Sequence, residues 1–309
     1  METGNKTNDF QDEVNRRNFI YTATKALASG VLLFPALNSF SINESAEDTV
    51  TVGRIMDMFI SEVPNAPFDK TVDTLKAGSR DTKVTGIVTS MFATIEVIQK
   101  AIASGANFII GHEPTFYNHL DETSWLENDE VYRGKLNLLN QHKIAVWRNH
   151  DYIHSLVPDG VAQGVVEKLG WGNFFDSKTS VAVLPPASLK RIIQHAKEKL
   201  NISEVRYMGN LEATCKKILL MPGAAGGKSQ ITALGKEKPD VLICGEIQEW
   251  ETAEYVRDAR VQGHNLSLVV LGHIASEEPG SEFMAEWLKK KLPQVKVTHI
   301  PAKNSLLFV

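Results

Sequence analysis

Apolar and polar positions follow two different periods along the chain from about residue 50 onward. Short continuous apolar runs, bounded by glycine, proline or polar residues, predict buried β-strands. The predicted strands span residues 84–91, 106–111, 143–148, 180–184, 205–208, 217–221, 241–244, 266–271 and 295–300. Apolar residues recur at helical spacing in the segments 93–104, 129–141, 158–169, 187–199, 249–262 and 279–291. This alternation of strand and helix predicts an α/β fold.

Two segments show neither period and suggest how the chain is divided. Residues 64–82 are rich in Pro, Asp, Thr and Gly and predict an irregular entry segment. Residues 170–187 begin with Gly-Trp-Gly-Asn and later contain Pro-Pro, which predicts a boundary between lobes of about 50–175 and 176–309. Each half ends a core strand in Gly-His with an acid nearby. We expect two similar α/β lobes with mixed sheets facing a cleft, although chance can also produce such a similarity between the halves.

The first forty residues have the composition of a targeting segment. Arg16 and Arg17 precede an apolar, uncharged stretch over 26–37, which small polar residues follow. This order predicts a twin-arginine-type signal over 1–41 and a periplasmic or otherwise exported protein. The stretch is shorter than the ~20 residues that cross a bilayer, so no stable membrane anchor is expected. An amphipathic N-terminal helix is the alternative interpretation.

Composition narrows the classes of partner. The 309 residues are 43% hydrophobic, enough for a sizeable core, and the net charge of −4 comes without a long basic block. We therefore expect no nucleic-acid partner. The expected partner is a small-molecule substrate, which composition does not identify. Cys215 and Cys244 lie in apolar runs and outside any CxxC spacing, which predicts buried free thiols and disfavours a thiolate zinc site.

Histidines followed by carboxylates end three of the predicted strands. The motifs are Gly-His-Glu-Pro at 111–114, His-Asp-Tyr-Ile-His at 150–154 and Gly-His-Ile-Ala-Ser-Glu at 272–277. Imidazole and carboxylate are common ligands of zinc, manganese and iron. In α/β folds, sites assemble at the carboxyl ends of strands. The repetition predicts a metal centre.

The spacing within the first two motifs leaves two interpretations open. His112 and Glu113 are adjacent, so in a loop they could serve two neighbouring ions, or they could be a solvated pair. His150 and His154 share one face if the chain forms a helical turn there. Alternatively, His150 holds a backbone carbonyl while Asp151 caps a turn.

The third motif and two further segments also have more than one interpretation. His273 and Glu277 share one helical turn, although Glu277 could also complement a helix dipole. Glu246 follows the strand 241–244 as a candidate catalytic base or a structural acid. The Gly-rich segment 223–229 lacks the first glycine of a Walker A motif, because Pro222 stands there, and predicts a tight strand-to-helix turn. The remaining histidines lack partners at ligand spacing: His119, His142, His195, His264 and His299.

Together these motifs resemble the Nif-three-like family, whose bacterial members are called GTP cyclohydrolase 1 type 2 homologues or dinuclear metal-centre hexameric proteins. The family's His-His-Pro is His-Glu-Pro here, its His-Thr-x-x-Asp ends in His154, and its Gly-His-x-x-Ser/Thr-Glu is intact. Glu113 and His154 thus exchange carboxylate and imidazole relative to the family pattern. The resemblance implies a two-lobed fold, a homo-oligomer of hexameric type, and two divalent metal ions. The implied ligands are His112, Glu113, His154, His273 and Glu277.

The resulting functional hypothesis is a metal-dependent hydrolase that uses zinc, manganese or iron. A metal-activated water would be the nucleophile, with Glu246 or Asp151 as proton acceptor and His150 stabilising negative charge. A phosphoester or a cyclic amide is the expected substrate class. The alternative is a non-catalytic metal-binding scaffold, and metal storage or delivery is a weaker third option.

Overall fold

Buried apolar strands alternate with amphipathic helices in the computed structural model, which describes residues 50–307 and 309. The predicted signal segment 1–41 lies outside these residues. The α-helices are α1 Val52–Ile60, α2 Ile95–Ala103, α3 Glu130–Gln141, α4 Asp151–His154, α5 Gly160–Leu169, α6 Leu189–Leu200, α7 Gly227–Glu237, α8 Glu254–Val261 and α9 His273–Lys291. The strands are β1 Leu75–Ala77, β2 Ile87–Ser90, β3 Phe108–Gly111, β4 Ala145–Arg148, β5 Phe175–Asp176, β6 Val181–Ser188, β7 Arg206–Met208, β8 Thr214–Met221, β9 Val241–Cys244, β10 Ser267–Val270 and β11 Val297–His299.

The first sheet has the strand order β1-β4-β3-β2-β11. Strands β4, β3, β2 and β11 are parallel, and β1 is antiparallel at the edge. Every residue of β2, β3 and β4 is buried, as expected for parallel strands covered on both faces. Strand β11 pairs with β2, with Thr298 opposite Val88. The last strand of the predicted second lobe therefore belongs to the first sheet.

The second sheet has the strand order β5-β6-β8-β9-β10-β7. Strands β8, β9 and β10 are parallel, whereas β5, β6 and β7 pair in antiparallel fashion. Both sheets are mixed, so the predicted α/β class with two mixed sheets is confirmed. The described residues cluster as one compact unit.

Helix α9 links the end of the second sheet to the first. It packs against α5, β2 and β11. The crossing with α5 is close, since a Cβ on Gly164 would lie 2.3 Å from the Pro279 carbonyl oxygen and one on Gly280 would lie 2.9 Å from Val161 Cγ2. Glycine at both positions therefore lets the helix backbones approach. This contact carries the third histidine motif toward the first two.

Helix α9 begins earlier than the periodicity predicted. It starts at His273 rather than at 279, and Pro279 lies inside it. Proline cannot donate the usual helical hydrogen bond, but tertiary packing of this buried turn overrides that local preference. The early start places His273 and Glu277 on successive turns of one helix.

Several short elements were not predicted. Helix α1 carries its buried residues Val52, Ile55, Met56 and Phe59 at helical spacing, although no helix was predicted before residue 93. Strand β1 lies in the segment that was expected to be irregular, and the two-residue β5 is too short to show a period. The predicted helix 249–262 begins with a π-helical turn, Glu249–Ala253, before α8.

The largest core cluster spans both sheets. Phe59 is fully buried and packs edge-on against Trp147 at 6.0 Å and Trp287 at 5.0 Å between ring centroids. Both cysteines are buried free thiols, as predicted, and burial raises the pKa of Cys215 to about 11 and that of Cys244 to about 12. Among the described helices, none has the length and apolar character to span a bilayer.

Candidate metal centre

The first two histidine motifs meet because their strands are neighbours. Strands β3 and β4 are parallel and adjacent, so His112 and His150 follow them at the same edge of the sheet. The buried guanidinium of Arg148, at the end of β4, donates to the His112 carbonyl oxygen and to Glu113 Oε2, each at 3.3 Å. Arg148 thereby holds the loop that carries the first motif.

The turn that carries the second motif is capped by a buried carboxylate. Asp73 accepts hydrogen bonds from the backbone N–H groups of His150, Asp151 and Tyr152, at 2.8, 3.0 and 2.7 Å. A carboxylate at a helix N-terminus satisfies the free N–H groups there. The cap holds α4 in a helical turn, so His150 and His154 share one face, as the spacing predicted.

Each of the four histidines is oriented through Nδ1. In every case an oxygen acceptor lies close to Nδ1, and this contact leaves Nε2 directed toward the other motifs. The acceptors are Asn149 O for His112 at 3.2 Å, Asp151 Oδ1 for His150 at 2.9 Å, Asp159 Oδ2 for His154 at 2.9 Å, and Glu246 Oε1 for His273 at 3.0 Å.

The Nε2 atoms converge on two carboxylates. Glu277 Oε2 lies 3.0 Å from Nε2 of His273 and 3.4 Å from that of His112, and Glu277 Oε1 lies 3.9 Å from Nε2 of His154. Glu113 Oε1 lies 3.1 Å from Nε2 of His273. The structure thus brings together all five predicted ligands, while their role as ligands stays a prediction.

Among the described residues, two groups of donor atoms could hold a metal ion. One is His112, His150 and His154, and the other is His112, Glu113 and Glu277, with ligand atoms within 4.8 Å of one another in each group. The two groups share His112, whose buried Nε2 has no hydrogen-bond partner in the described part of the chain. A buried imidazole nitrogen without a partner is costly unless a cation uses its lone pair. The donor set therefore fits one or two divalent ions.

The electrostatics divide the cluster into two sides. Burial and the neighbouring His112 lower the pKa of His150 to about 4, which keeps its imidazole neutral. Burial alone would lower the pKa of His273, but Glu113 and Glu277 outweigh it and raise that pKa to about 10. Burial alone would raise the pKa of Glu277, but His112 and His273 hold it well below its usual range. The carboxylate side is thus the side that attracts positive charge.

A cavity of about 1220 Å³ opens above this cluster. Glu113, His150, His154, His273 and Glu277 line it, so the donor atoms are accessible from one side. Of the three residues predicted to be catalytic, His150 lies in the cavity wall. Glu246 and Asp151 lie behind the histidines that they contact.

The Gly-rich segment forms the predicted strand-to-helix turn, between β8 and α7. Gly223 has a positive φ of 64°, and a Cβ there would lie 2.1 Å from Glu277 Oε1. Its N–H donates to Ser276 Oγ at 2.9 Å. Glycine at this position therefore lets the backbone reach the Glu277 carboxylate.

Four residues around the site were missed by the sequence interpretation. Asp73 and Arg148 position the loops, Asp159 orients His154, and Lys135 lies in the cavity wall. Asp159 also caps α5 through the N–H groups of residues 161 and 162, so its signal was the ordinary helix-start pattern of Pro-Asp-Gly. The others gave no local signal, because their partners are distant in the sequence.

His119, for which no partner at ligand spacing was predicted, also lies at this site. The ring of His119 lies edge-on to that of His150, with 5.9 Å between centroids, and lines the same cavity. Its backbone oxygen accepts a hydrogen bond from Arg148. His119 was missed because the loop that carries it returns to β4 only in the folded chain.

Comparisons with known proteins agree with this architecture. The model of the family described as Duf34/NIF3 (NGG1p interacting factor 3) matches residues 51–305. A "GTP cyclohydrolase 1 type 2 homolog" of Clostridium perfringens is 26% identical over 229 residues, which cover 71% of this chain and 83% of the relative. A protein of the same name from Clostridium acetobutylicum is 25% identical over 235 residues, covering 72% and 83%.

Solved structures share the fold. A hypothetical protein of Staphylococcus aureus superposes with a TM-score of 0.68 at 20% identity, over 85% of this chain and all of the other. A Bacillus cereus protein related to NIF3 superposes with a TM-score of 0.69 at 16% identity, over 84% and 100%. At these identities the likeness concerns the fold alone.

Proposed function

The chain belongs to the Duf34/NIF3 family, and from this premise we propose that it is a metal-dependent hydrolase with two divalent ions. Zinc, manganese and iron(II) are the candidate metals, because the donors are imidazole nitrogens and carboxylate oxygens. The proposed ligands are His112, Glu113, His154, His273 and Glu277. A phosphoester is the proposed substrate class, and the name of the curated relatives supports a cyclic amide as the other candidate.

One observation carries this proposal. Four imidazole rings, each held at Nδ1 by an oxygen acceptor, direct Nε2 toward two buried carboxylates at the base of an open cavity. Second-sphere acceptors of this kind fix the tautomer and orientation of metal-binding histidines. Ring positions that served only packing would not require the same arrangement four times.

The open cavity favours catalysis over the non-catalytic scaffold. Structural metal sites close their coordination shell with protein ligands, whereas catalytic sites keep an accessible position. Here the donors lie in the wall of a cavity of about 1220 Å³. When bound, divalent ions supply an acidified water and stabilise developing negative charge.

The chain's own residues have separable roles in this proposal. His150 is neutral and lies in the cavity wall, where its ring can stabilise negative charge on a bound substrate. Asp151 accepts from Thr71 Oγ1 and from the backbone N–H of Val72, besides contacting His150. Because Asp151 is engaged on both oxygens, the more exposed Glu246 is the better candidate for proton acceptor.

The experiment begins with elemental analysis of protein purified without chelator. We expect two equivalents of a divalent metal, and hydrolysis of a compound from a panel of phosphodiesters, nucleotides and cyclic amides. Glu246→Gln keeps an oxygen acceptor for His273 Nδ1, so it should lower kcat while metal content stays at the wild-type level, and Asp151→Asn serves as the matched comparison. Stoichiometric metal without hydrolysis of any panel compound would favour the scaffold.

Export and assembly are further parts of the proposal. The twin-arginine-type segment at 1–41 supports a periplasmic location, and the family resemblance supports a homo-oligomer such as a hexamer. Cell fractionation of the full chain tests the first, with a double change of Arg16 and Arg17 to lysine as the control. Light scattering of the purified protein tests the second, and a monomeric mass would refute it.

A further inference from the structure

A buried ammonium group lies in the wall of the same cavity. Lys135, in α3, has a side chain that is only 5% exposed, whereas lysine is rarely buried without a partner of opposite charge. Its Nζ donates one hydrogen bond, to the Thr115 carbonyl oxygen at 2.6 Å. In the described part of the chain no carboxylate forms an ion pair with it. The nearby Asp121 is instead 3.1 Å from Lys76 Nζ and 3.6 Å from Arg148.

Aromatic rings flank this group but do not neutralise it. Nζ lies 5.8 Å from the centroid of Phe116 and 5.3 Å from that of Tyr117. Such contacts attract a cation through the ring face, yet they accept no conventional hydrogen bond. An ammonium has three N–H donors, and one is used on a backbone oxygen. The remaining donors are therefore available to a bound anion.

The other lysine of the cavity differs in its surroundings. The side chain of Lys303 is 63% exposed and pairs with Glu96 at 3.2 Å. An exposed, paired lysine of this kind is an ordinary surface ion pair. Lys135 is distinguished by burial, by a single hydrogen bond and by the absence of an ion-pair partner within the described residues.

We infer that Lys135 binds an oxyanion on the substrate, at a position separate from the bond that is hydrolysed. The substrate is then an anionic small molecule with a phosphate or carboxylate group. Lys135 lines the same cavity as Glu113 and Glu277 and supplies a positive charge that belongs to none of the proposed metal ligands. The cavity is also lined by apolar side chains, including Phe92, Ile95 and Ile274, which could contact an uncharged part of the substrate.

This inference deepens the proposed function, but the binding step can be measured without turnover. The probes are inorganic phosphate and benzoate, titrated by calorimetry at pH 7 into wild type, Lys135→Met, Lys135→Arg and Lys303→Met. Each protein is tested as purified and after chelator treatment, with elemental analysis of the same samples. Lys303→Met is the matched control, since it removes one positive charge from the same cavity.

We expect at least one of the two oxyanions to bind wild type, and its identity separates phosphate from carboxylate recognition. Lys135→Met should weaken that binding at least tenfold in both metal states, whereas Lys135→Arg and Lys303→Met should stay within threefold. Equal affinity in wild type and Lys135→Met, or no binding of either probe to wild type, overturns the inference. Absence of metal or of hydrolysis, with Lys135-dependent binding retained, would refute the hydrolase and leave this site standing.

Discussion

Replacing Lys135 with methionine should stabilise the folded protein at pH 7, even though it removes a charge and a hydrogen bond. Burial lowers the pKa of this lysine from 10.5 to about 8. At ~1.4 kcal/mol per pKa unit, keeping the ammonium buried costs about 3 kcal/mol. Methionine has a similar length, so it should fill the same space. Loss of the hydrogen bond to Thr115 destabilises the variant by ~1–2 kcal/mol and offsets part of this gain. The net gain should be ~1–2 kcal/mol.

The effect should depend on pH with a defined sign. Below pH 8 the lysine is charged in both the folded and the unfolded protein, so the full cost of burial applies. Between about 8 and 10.5 the folded state loses the proton first, and the unfolded state binds more protons. Wild-type stability relative to the methionine variant therefore rises with pH across this window. Above it, the hydrogen bond to Thr115 should make wild type the more stable protein.

Urea unfolding followed by tryptophan fluorescence at pH 7, 9 and 10.5 would measure this difference. Lys303→Met is the control, because an exposed surface substitution should stay within ~0.5 kcal/mol at each pH. A methionine variant that is less stable than wild type at pH 7, or a difference that does not change with pH, would refute the reasoning. A stabilising variant that loses anion binding would show that Lys135 is kept for function at the expense of stability.

Four other substitutions test the site and the core. His273→Ala should remove bound metal, since its Nε2 lies within 3.1 Å of both carboxylates; wild-type metal by elemental analysis would contradict the proposed centre. Gly223→Ala should lower melting temperature and metal content together, because the new Cβ would clash with Glu277; unchanged metal would show that the loop can move away. Asp73→Asn should cost ~1–3 kcal/mol in urea unfolding and weaken metal retention, as it removes the charge that caps α4. Phe59→Ala should cost ~3–5 kcal/mol, yet leave the metal content of the folded protein unchanged.

Most of the residues that surround the proposed metal ligands could not be identified from the sequence. Asp73 is an acid in a segment that looked irregular, and nothing near it indicates that it caps a helix almost eighty residues later. Lys135 resembles any lysine on an amphipathic helix, and its burial depends on the loop that contains Thr115. The start of α9 was placed too late because Pro279 is locally unfavourable inside a helix.

By itself, the sequence determined the class of the fold and the identity of the converging residues. Continuous apolar runs such as those of β3 and β4 must be buried on both faces, and that requirement predicts parallel strands with helices between them. The three histidine motifs could be recognised as a candidate site because they follow predicted strands, and the carboxyl ends of strands are where sites assemble in α/β folds.

Only the tertiary structure decided which of these residues share a site and what surrounds them. Strand β11 returns to the first sheet, and α5 crosses α9 at close range. Together these contacts place Glu277 between histidines that are distant in the sequence. The loop that contains Thr115 contacts the buried Lys135, and among the described residues no carboxylate forms an ion pair with it. Contacts of this kind depend on distances between elements, which a linear pattern of apolar and polar positions does not encode.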